Sequence, residues 1–581
     1  MTTTPGLSQI APEQMEPGHA DDADSRREWQ IFAVAMAGVL LIFGLLHNKW
    51  WVPGGDTDLY LVAARNLIKG KKYTFNGLPL NVAPPGWPLL LAGAMKISTS
   101  FGFLKMVNLT LLTLFLGVFY WIIRRLVPGP WITAAIIVGT ALISHAYELT
   151  FWFHSDALFS LLTASSFLIA LQIREKQGGN FRAAGLIVLC IAAVCVRWAG
   201  VFNWCIIAGI LLSGETKPRL TRPWVLVCAT FVAFAVTFLA LRLAMRLTPE
   251  QMRAIKESGI FIDESLRSEA QGYSLDTNLT RKLGLVGEAR QRFVGAGRWF
   301  STLFWQPFRI IGSREIDGAG IVVGYFGIFL LGVTVVRAWR KCQWMWVGLG
   351  VSCGTLFVMW PDATGRYLIP WTPLLLIALL EPLLVFAKSG GRTRRVALGL
   401  FYTFLISAIA CNAALFSVEA WVARQHNFYA AYDAGLDHDL ISIAHYLIDH
   451  GVADNQIAIS PKYVNLNHPR YTRWGIRATL ALTDRTMLLV PRTVIGDTAK
   501  PPAQLAMDWA HQYHVKYYIS QPPISPWRVW HFRLGWLQKR VTHKPVIPTR
   551  SSWQLWDVSG KDPVEITVPP VHGWPTHVPD L

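Results

Sequence analysis

The sequence predicts a mainly α-helical fold: a polytopic helical membrane protein of about 11 transmembrane helices, with a small α/β domain outside the membrane. Three observations predict it. Hydrophobic residues make up 52% of the 581 positions and charged ones only 15%, and the mean hydropathy is +0.33, as expected of a chain whose main solvent is lipid. The apolar residues gather into runs near the length a bilayer requires, and basic clusters occupy every second connection. The formal net charge of +18 therefore points to membrane orientation and away from nucleic acid, because much of it sits in short loops between apolar runs.

In chain order the runs are Trp29–Leu46, Phe103–Ile123, Trp131–Tyr147, Ser155–Ile173, Ala183–Val196, Ala199–Leu212, Trp224–Met245, Ala319–Val336, Trp344–Trp360, Tyr367–Phe386 and Val396–Val418. Residues 1–27 are polar and poor in aromatics, a disordered cytoplasmic tail ending in Arg26 and Arg27. The first run lacks a small-residue cleavage site and is expected to be retained. Arg124 and Arg125, Arg174 to Arg182, Lys217 to Arg222, Arg337 to Lys341, and Lys388 to Arg395 fall on the side of the N-terminus when crossings alternate. That side is then cytoplasmic, and an odd number of crossings sends the C-terminus out. The division is a membrane domain at 28–418, with outside loops at 48–102 and 247–318, and an extracytoplasmic domain at 419–581. None of the seven cysteines lies in that last region, so neither a disulfide framework nor a zinc site is indicated there.

The first outside loop is the richest in chemistry. Gly54–Pro88 carries two aspartates, a tyrosine, a basic cluster and a Pro-Pro-Gly turn. If Tyr60 to Lys69 is helical, Asp56 and Tyr60 share a face one turn apart, whereas Asp58 points elsewhere. Pro84, Pro85 and Pro88 fix dihedrals and turn the chain back towards the membrane. Arg65, Lys69, Lys71 and Lys72 break the charge rule for an outside loop, and a lipid phosphate is a natural reason. Farther on, Arg292–Ile311 interleaves aromatics with arginines, the pattern of an interfacial helix. After Val418, helices at Tyr432–Asp449, Arg477–Leu482 and Gln504–His511 alternate with strands at Gln456–Ser460, Met487–Val490 and Val515–Ser520. No glycine-rich phosphate loop accompanies them.

Three further elements face outside. Glu148, His154 and Asp156 lie in YELTFWFHSDALFSLL, with Asp156 opening the fourth run; Arg197 sits at the turn between the fifth and sixth; Arg366 and Tyr367 begin the tenth in PDATGRYLIP. Ionisable residues at the ends of membrane helices mark function by default. The plainer alternatives are that Asp56 and Asp156 cap helices and that Arg366 snorkels to the interface.

On these residues the chain resembles the GT-C superfamily of polytopic glycosyltransferases, and is most similar to its protein O-mannosyltransferase and aminoarabinose-transferase branch. Asp56, Tyr60, Gly70 and Pro84-Pro85-Gly86 match the first-loop pattern, Asp156 the acid opening the fourth span, and Arg366-Tyr367 with Pro370 the later Arg-Tyr-x-x-Pro element. The match runs over roughly residues 29 to 370. Ala83 departs from it, where aminoarabinose transferases tend to carry a basic residue. The resemblance implies inverting transfer of a sugar from a polyprenyl-phosphate donor to a glycan, lipid or protein acceptor on the outer side of the membrane. The bacterial-looking outside domain favours a bacterial inner membrane, although an endoplasmic reticulum enzyme would share the topology.

Inverting substitution needs a base beside the acceptor hydroxyl and cations for the departing phosphate. Asp56 is the candidate base, with Asp156 as the second catalytic carboxylate. Arg366 leads the cations, followed by Arg197, Lys71 and Lys72. Asp58, Tyr60, Glu148, His154 and Tyr367 complete the expected substrate-binding set. No cofactor is expected, although paired carboxylates such as Asp56 and Asp58 are normal ligands of magnesium or manganese. The rival from another class is a carrier that binds or flips lipid-linked sugars without chemistry.

Overall fold

The computed structural model describes residues 22–51, 56–80, 83–127, 129–175, 179–213, 222–246, 248–250, 293–297, 300–301, 314–359, 365–388, 395–396, 399, 403, 406, 409–417, 420, 438–459, 482–485, 487–489, 502–520, 553–569 and 576–578. Helices α1 (Asp22–Leu46), α2 (Thr57–Ile68), α3 (Gly86–Ile97), α4 (Phe101–Leu126), α5 (Pro130–Ala141), α6 (Ser144–Glu148), α7 (Asp156–Arg174), α8 (Asn180–Val196), α9 (Asn203–Leu212) and α10 (Arg222–Ala244) are followed by helices Arg314–Arg340, Trp344–Met359 and Thr372–Lys388. Among the described residues, five helical stretches are long and apolar enough to cross a membrane: Ser25–Leu46, Phe101–Leu126, Asp156–Arg174, Pro223–Ala244 and Ile321–Arg340.

The expected runs reappear as helices with instructive breaks. Trp131–Tyr147 is divided at Leu142 and Ile143 into α5 and α6. Ala199–Leu212 opens with a 3-10 turn, Trp198–Phe202, and Tyr367–Phe386 opens with another, Gly365–Trp371. The tail is helical from Asp22, extending α1, while residues 1–21 lie outside the described residues, as do most of Arg292–Ile311 and part of Val396–Val418; residues 409–417 of that last run are helical.

Close approach between helices comes from small residues, the usual device where no hydrophobic effect drives association. A Cβ on Gly209 of α9 would collide with the Trp344 carbonyl, and one on Gly348 with the Cys205 carbonyl, so α9 and Trp344–Met359 pack backbone to backbone. At the basic end of the bundle, Arg124 pairs with Glu28 at 2.8 Å and Arg125 with Glu175 at 3.3 Å. These pairs join the end of α4 to the start of α1 and the end of α7, the far end of α7 from Asp156.

The segment between α1 and α4, loop one, is more structured than its sequence suggests. Besides α2 it contains a hairpin, β1 (Thr74–Phe75) with β2 (Leu78–Pro79), and α3, which starts at the Pro-Pro-Gly turn. The C-terminal domain contains helices His438–Asp449 and Pro502–Gln512 and strands β3 (Ile457–Ile459), β4 (Met487–Leu489), β5 (Tyr517–Ser520), β6 (Gln554–Asp557) and β7 (Val564–Ile566). Strand order is β4-β3-β5-β6-β7, with parallel pairing from β4 to β5 and antiparallel pairing beyond. The antiparallel pair of strands was not foreseen, and the expected helix Arg477–Leu482 lies almost wholly outside the described residues.

This domain is fastened to loop one. Asp484 receives Arg65 at 2.8 Å and Lys69 at 2.7 Å. The Asn76 side chain donates to the Met487 carbonyl and accepts its N–H, both at 2.9 Å, satisfying edge strand β4 as another strand would. The C-terminal segment also bridges Ser100 with His577, where Phe101 N donates to Thr576 O at 2.9 Å.

The Arg65 side chain is only 1% exposed and Asp484 8%. Removing one partner of a buried ion pair costs about 3 kcal/mol. Asp484→Ala is therefore expected to lower the thermal midpoint of the detergent-purified chain and speed proteolysis of the C-terminal domain. A variant that melts and digests like the parent would show that this pair does not hold the domain in place.

Candidate active site

Asp56 occupies the N-cap position of α2, yet its side chain makes no capping hydrogen bond. It accepts instead from Arg366 Nη2 at 2.6 Å. Asp156 is the first residue of α7, where a negative charge suits the helix dipole, and its carboxylate pairs with Arg197. Capping therefore explains neither acid. Arg366, read alternatively as an interfacial anchor, points inward to a carboxylate.

The two pairs belong to one cluster. Arg366 Nη1 lies 3.2 Å from His154 Nδ1 and 3.3 Å from Nε2. The Tyr367 ring has the Arg197 guanidinium 4.2 Å from its centre and that of Arg366 at 5.4 Å, contacts of the cation–π kind. Ser155 receives Arg197 Nη1 at 3.4 Å, and its hydroxyl is 3.2 Å from the Tyr60 hydroxyl. Asp56 and Tyr60 thus meet Arg366 and Asp156, as the helical spacing in loop one implies.

Local structure explains how four distant segments converge. Thr57 at the start of α2 accepts from Phe153 N at 3.2 Å, and Trp87 of α3 donates to Phe153 O at 2.7 Å, so the strip before Asp156 is held on both sides. Gly86 allows α3 to press on the end of α8: a Cβ there would lie 2.6 Å from the Cys195 carbonyl oxygen, two residues before Arg197. The Tyr73 hydroxyl donates to the Ala83 carbonyl at 2.8 Å, tying the basic turn to the proline turn.

Not every expected residue arrives. Asp58 is buried and accepts from Trp51 Nε1 at 3.1 Å, turned to a different partner from Asp56. Two residues apart on a helix, the carboxylates point about 200° apart, so the pair proposed as a magnesium or manganese site is not assembled. Among the described residues no group of three or more His, Cys, Asp or Glu side chains is placed to hold a metal. Lys71 and Lys72 are exposed beyond the far end of α2, roughly 18 Å of helix from Asp56. Glu148 is buried in α6, 3.4 Å from His145 of the same helix. Ser155 was missed in the sequence, where a serine between His154 and Asp156 carries no signal of its own.

Electrostatics fixes the states of the neutral members. Burial, with the Arg366 guanidinium beside it, pushes the His154 imidazole down to about 3. It is a neutral hydrogen-bonding group at physiological pH. Burial, reinforced by the Asp56 carboxylate, holds the Tyr60 phenol above its usual range, so it keeps its proton.

Comparison with known proteins gives distant likenesses in fold. No protein-family model and no curated protein sequence matches the chain. Among solved structures it is similar to the archaeal oligosaccharyltransferase AglB from Archaeoglobus fulgidus, in complex with an inhibitory peptide and a dolichol-phosphate. That match has 11% identity, 86% coverage of this chain, 70% of the other, and a TM-score of 0.48. It is also similar to ArnT from Cupriavidus metallidurans bound to undecaprenyl phosphate, with 11% identity, 90% and 97% coverage, and a TM-score of 0.45. At such distances the chemistry has to be read from this chain's own side chains.

The depressed His154 has a consequence for stability. Between its unfolded value of 6.5 and its folded value of about 3, the unfolded chain binds the extra proton. Stability then falls as pH drops through that window, by at most about 1.4 kcal/mol per unit. Thermal melts from pH 7 to 4.5 should fall more steeply for the parent than for His154→Gln. Parallel curves would show that His154 is not held neutral by the fold.

Proposed function

We propose that the chain is a membrane glycosyltransferase that moves a sugar, with inversion, from a polyprenyl-phosphate donor to an acceptor hydroxyl at the outer face of the membrane. The observation carrying this reading is the joining of Asp56, Asp156, Arg197 and Arg366 around one tyrosine ring at one end of the bundle. A base beside two guanidinium groups is what displacement of a phosphate by a hydroxyl requires. A carrier would need cations for the headgroup but no carboxylate poised beside them.

In this scheme the Asp56 carboxylate takes the acceptor hydroxyl proton as the oxygen attacks the anomeric carbon. The bond from that carbon to the phosphate oxygen breaks on the opposite face, and its electron pair leaves with the lipid phosphate. Arg366 and Arg197 receive the growing charge. Arg366 has donors enough to keep contact with Asp56 while turning others to the phosphate. Asp156 holds Arg197 in place, and Tyr60, Ser155 and neutral His154 supply hydrogen bonds to hydroxyls. The site then opens to the periplasmic side of a bacterial inner membrane, with the N-terminus cytoplasmic, the C-terminal domain outside and the basic pairs of α4 at the cytoplasmic face.

Asp56→Asn tests the reading. Loss of a general base costs about 10²- to 10⁴-fold in rate. Transfer from a polyprenyl-phosphate sugar by the purified variant is expected to fall by that order, while binding of the donor lipid persists. Unchanged transfer removes Asp56 from the mechanism. Donor binding by a parent that shows no transfer to any hydroxyl acceptor would favour the carrier. Glycolipid and cell-wall glycan profiles of a deletion strain would name the sugar and acceptor.

A further inference from the structure

Below the charged cluster lies a second junction, made of uncharged residues. Asn203, the first residue of α9, donates from Nδ2 to Thr163 Oγ1 of α7 at 2.8 Å and accepts at Oδ1 from Trp371 Nε1 at 2.8 Å. All three are buried, with exposures of 1% for Asn203, 0% for Thr163 and 1% for Trp371. The preceding carbonyl, Phe202 O, accepts from Ser352 Oγ at 2.6 Å, anchoring the same turn to helix Trp344–Met359.

The three segments joined here are the three that carry Asp156, Arg197 and Arg366, and the offsets agree. Thr163 is seven residues beyond Asp156, two turns along the same face of α7 and about 10 Å deeper. Trp371 is five residues beyond Arg366 along a 3-10 turn, again about 10 Å. Asn203 follows Arg197 by six residues, across the 3-10 turn Trp198–Phe202. A polar contact placed one step below each charge sets the register of three backbones. The ion pairs above can then form without the long side chains having to search for each other.

We infer that Asn203 is a positioning residue, whose hydrogen bonds to Thr163 and Trp371 fix α7, the Arg197 turn and the Arg366 turn relative to one another and so align the two arginines for an anionic lipid headgroup. Hydrophobic packing alone would permit small sliding or rotation between these segments. A buried amide with two fixed partners does not, because any slip leaves buried polar groups unpaired. The inference rests on the proposed function only for the identity of the headgroup.

The experiment uses the full chain in detergent, with Thr163→Ser, Thr163→Val and Asn203→Leu, and undecaprenyl monophosphate as the probe. Loss of a buried hydrogen bond that leaves its partner unsatisfied is expected to weaken probe binding about tenfold in Thr163→Val and Asn203→Leu. Thr163→Ser, which keeps the hydroxyl, should stay within about twofold. In an Arg366→Lys background Thr163→Val should add less than about twofold, since a residue acting through Arg366 is non-additive with it. Amide hydrogen exchange should rise together over 198–203 and 365–371 and nowhere else. Thr163→Val binding like the parent, a multiplicative effect with Arg366→Lys, or exchange that rises everywhere or nowhere would overturn the inference. Should Asn203→Leu fail to fold, Thr163→Val carries the same test. A parent that does not bind the probe would count against the lipid-phosphate reading, and localised exchange in the variants would then decide on the junction alone.

Discussion

The site depends on keeping two guanidinium groups beside one phenol ring. Both lie near the Tyr367 ring, at 4.2 and 5.4 Å from its centre, so they are within about 10 Å of each other. At an effective dielectric constant of about 20 the repulsion at that distance is roughly 1.7 kcal/mol. Each arginine therefore needs its own carboxylate, and the chain supplies one from each of two unrelated segments. Loop one brings Asp56 to Arg366, and the start of α7 brings Asp156 to Arg197. Much of the surrounding architecture serves this: the Thr57 contact to Phe153, the Gly86 approach to Cys195, and the fastening of α2 to Asp484.

Much of the fold was legible because lipid imposes a simple rule on composition. Long apolar runs punctuated by basic connections reappear as helices among the described residues, and the charges that orientation does not explain include those that meet in the candidate site. Asp56, Tyr60, Asp156, Arg197, Arg366 and Tyr367 stood out because ionisable and polar groups at the ends of such helices are costly. Which acid would meet which arginine was not legible, since it depends on the rotation of helices far apart in sequence. Lys71 and Lys72 stood behind the arginines as candidate cations, and the length of α2 separates them from Asp56. The break between α5 and α6 has no proline or glycine at Leu142 and Ile143 to announce it. It is set by tertiary packing, where α6 meets the 3-10 turn bearing Arg366. Asn203 and Thr163 lay hidden as isolated polar residues in apolar runs, a weak signal until their partners are known.

Buried ion pairs are poor evidence for stability, because apolar residues of the same shape often fold as well or better. Two such pairs at one end of a membrane bundle therefore accord better with the proposed binding of an anionic headgroup than with a role in stability. The same logic separates the pair at Asp484, which fastens a domain edge, from the pairs around Tyr367, whose arginines also touch a histidine, a serine and an aromatic face.

The two pairs are not alike, and the difference bears on the parts the proposed mechanism gives them. Arg197 and Asp156 have side-chain exposures of 10% and 1%, against 19% and 31% for Arg366 and Asp56. With two carboxylates and two guanidinium groups the cluster is neutral overall. An incoming phosphate gains attraction only if it draws an arginine partly away from its carboxylate. The exposed pair yields at lower cost, because water and the arriving ligand can replace what is lost, while opening the deeper pair would strand a charge in a dry site. In the proposed mechanism Arg366 is then the group that turns to phosphate and Asp56 the carboxylate left facing an acceptor, with Asp156 and Arg197 as the fixed base beneath them. On this argument the second acid contributes by holding a cation still, and the chemistry falls to the one carboxylate that substrate can reach.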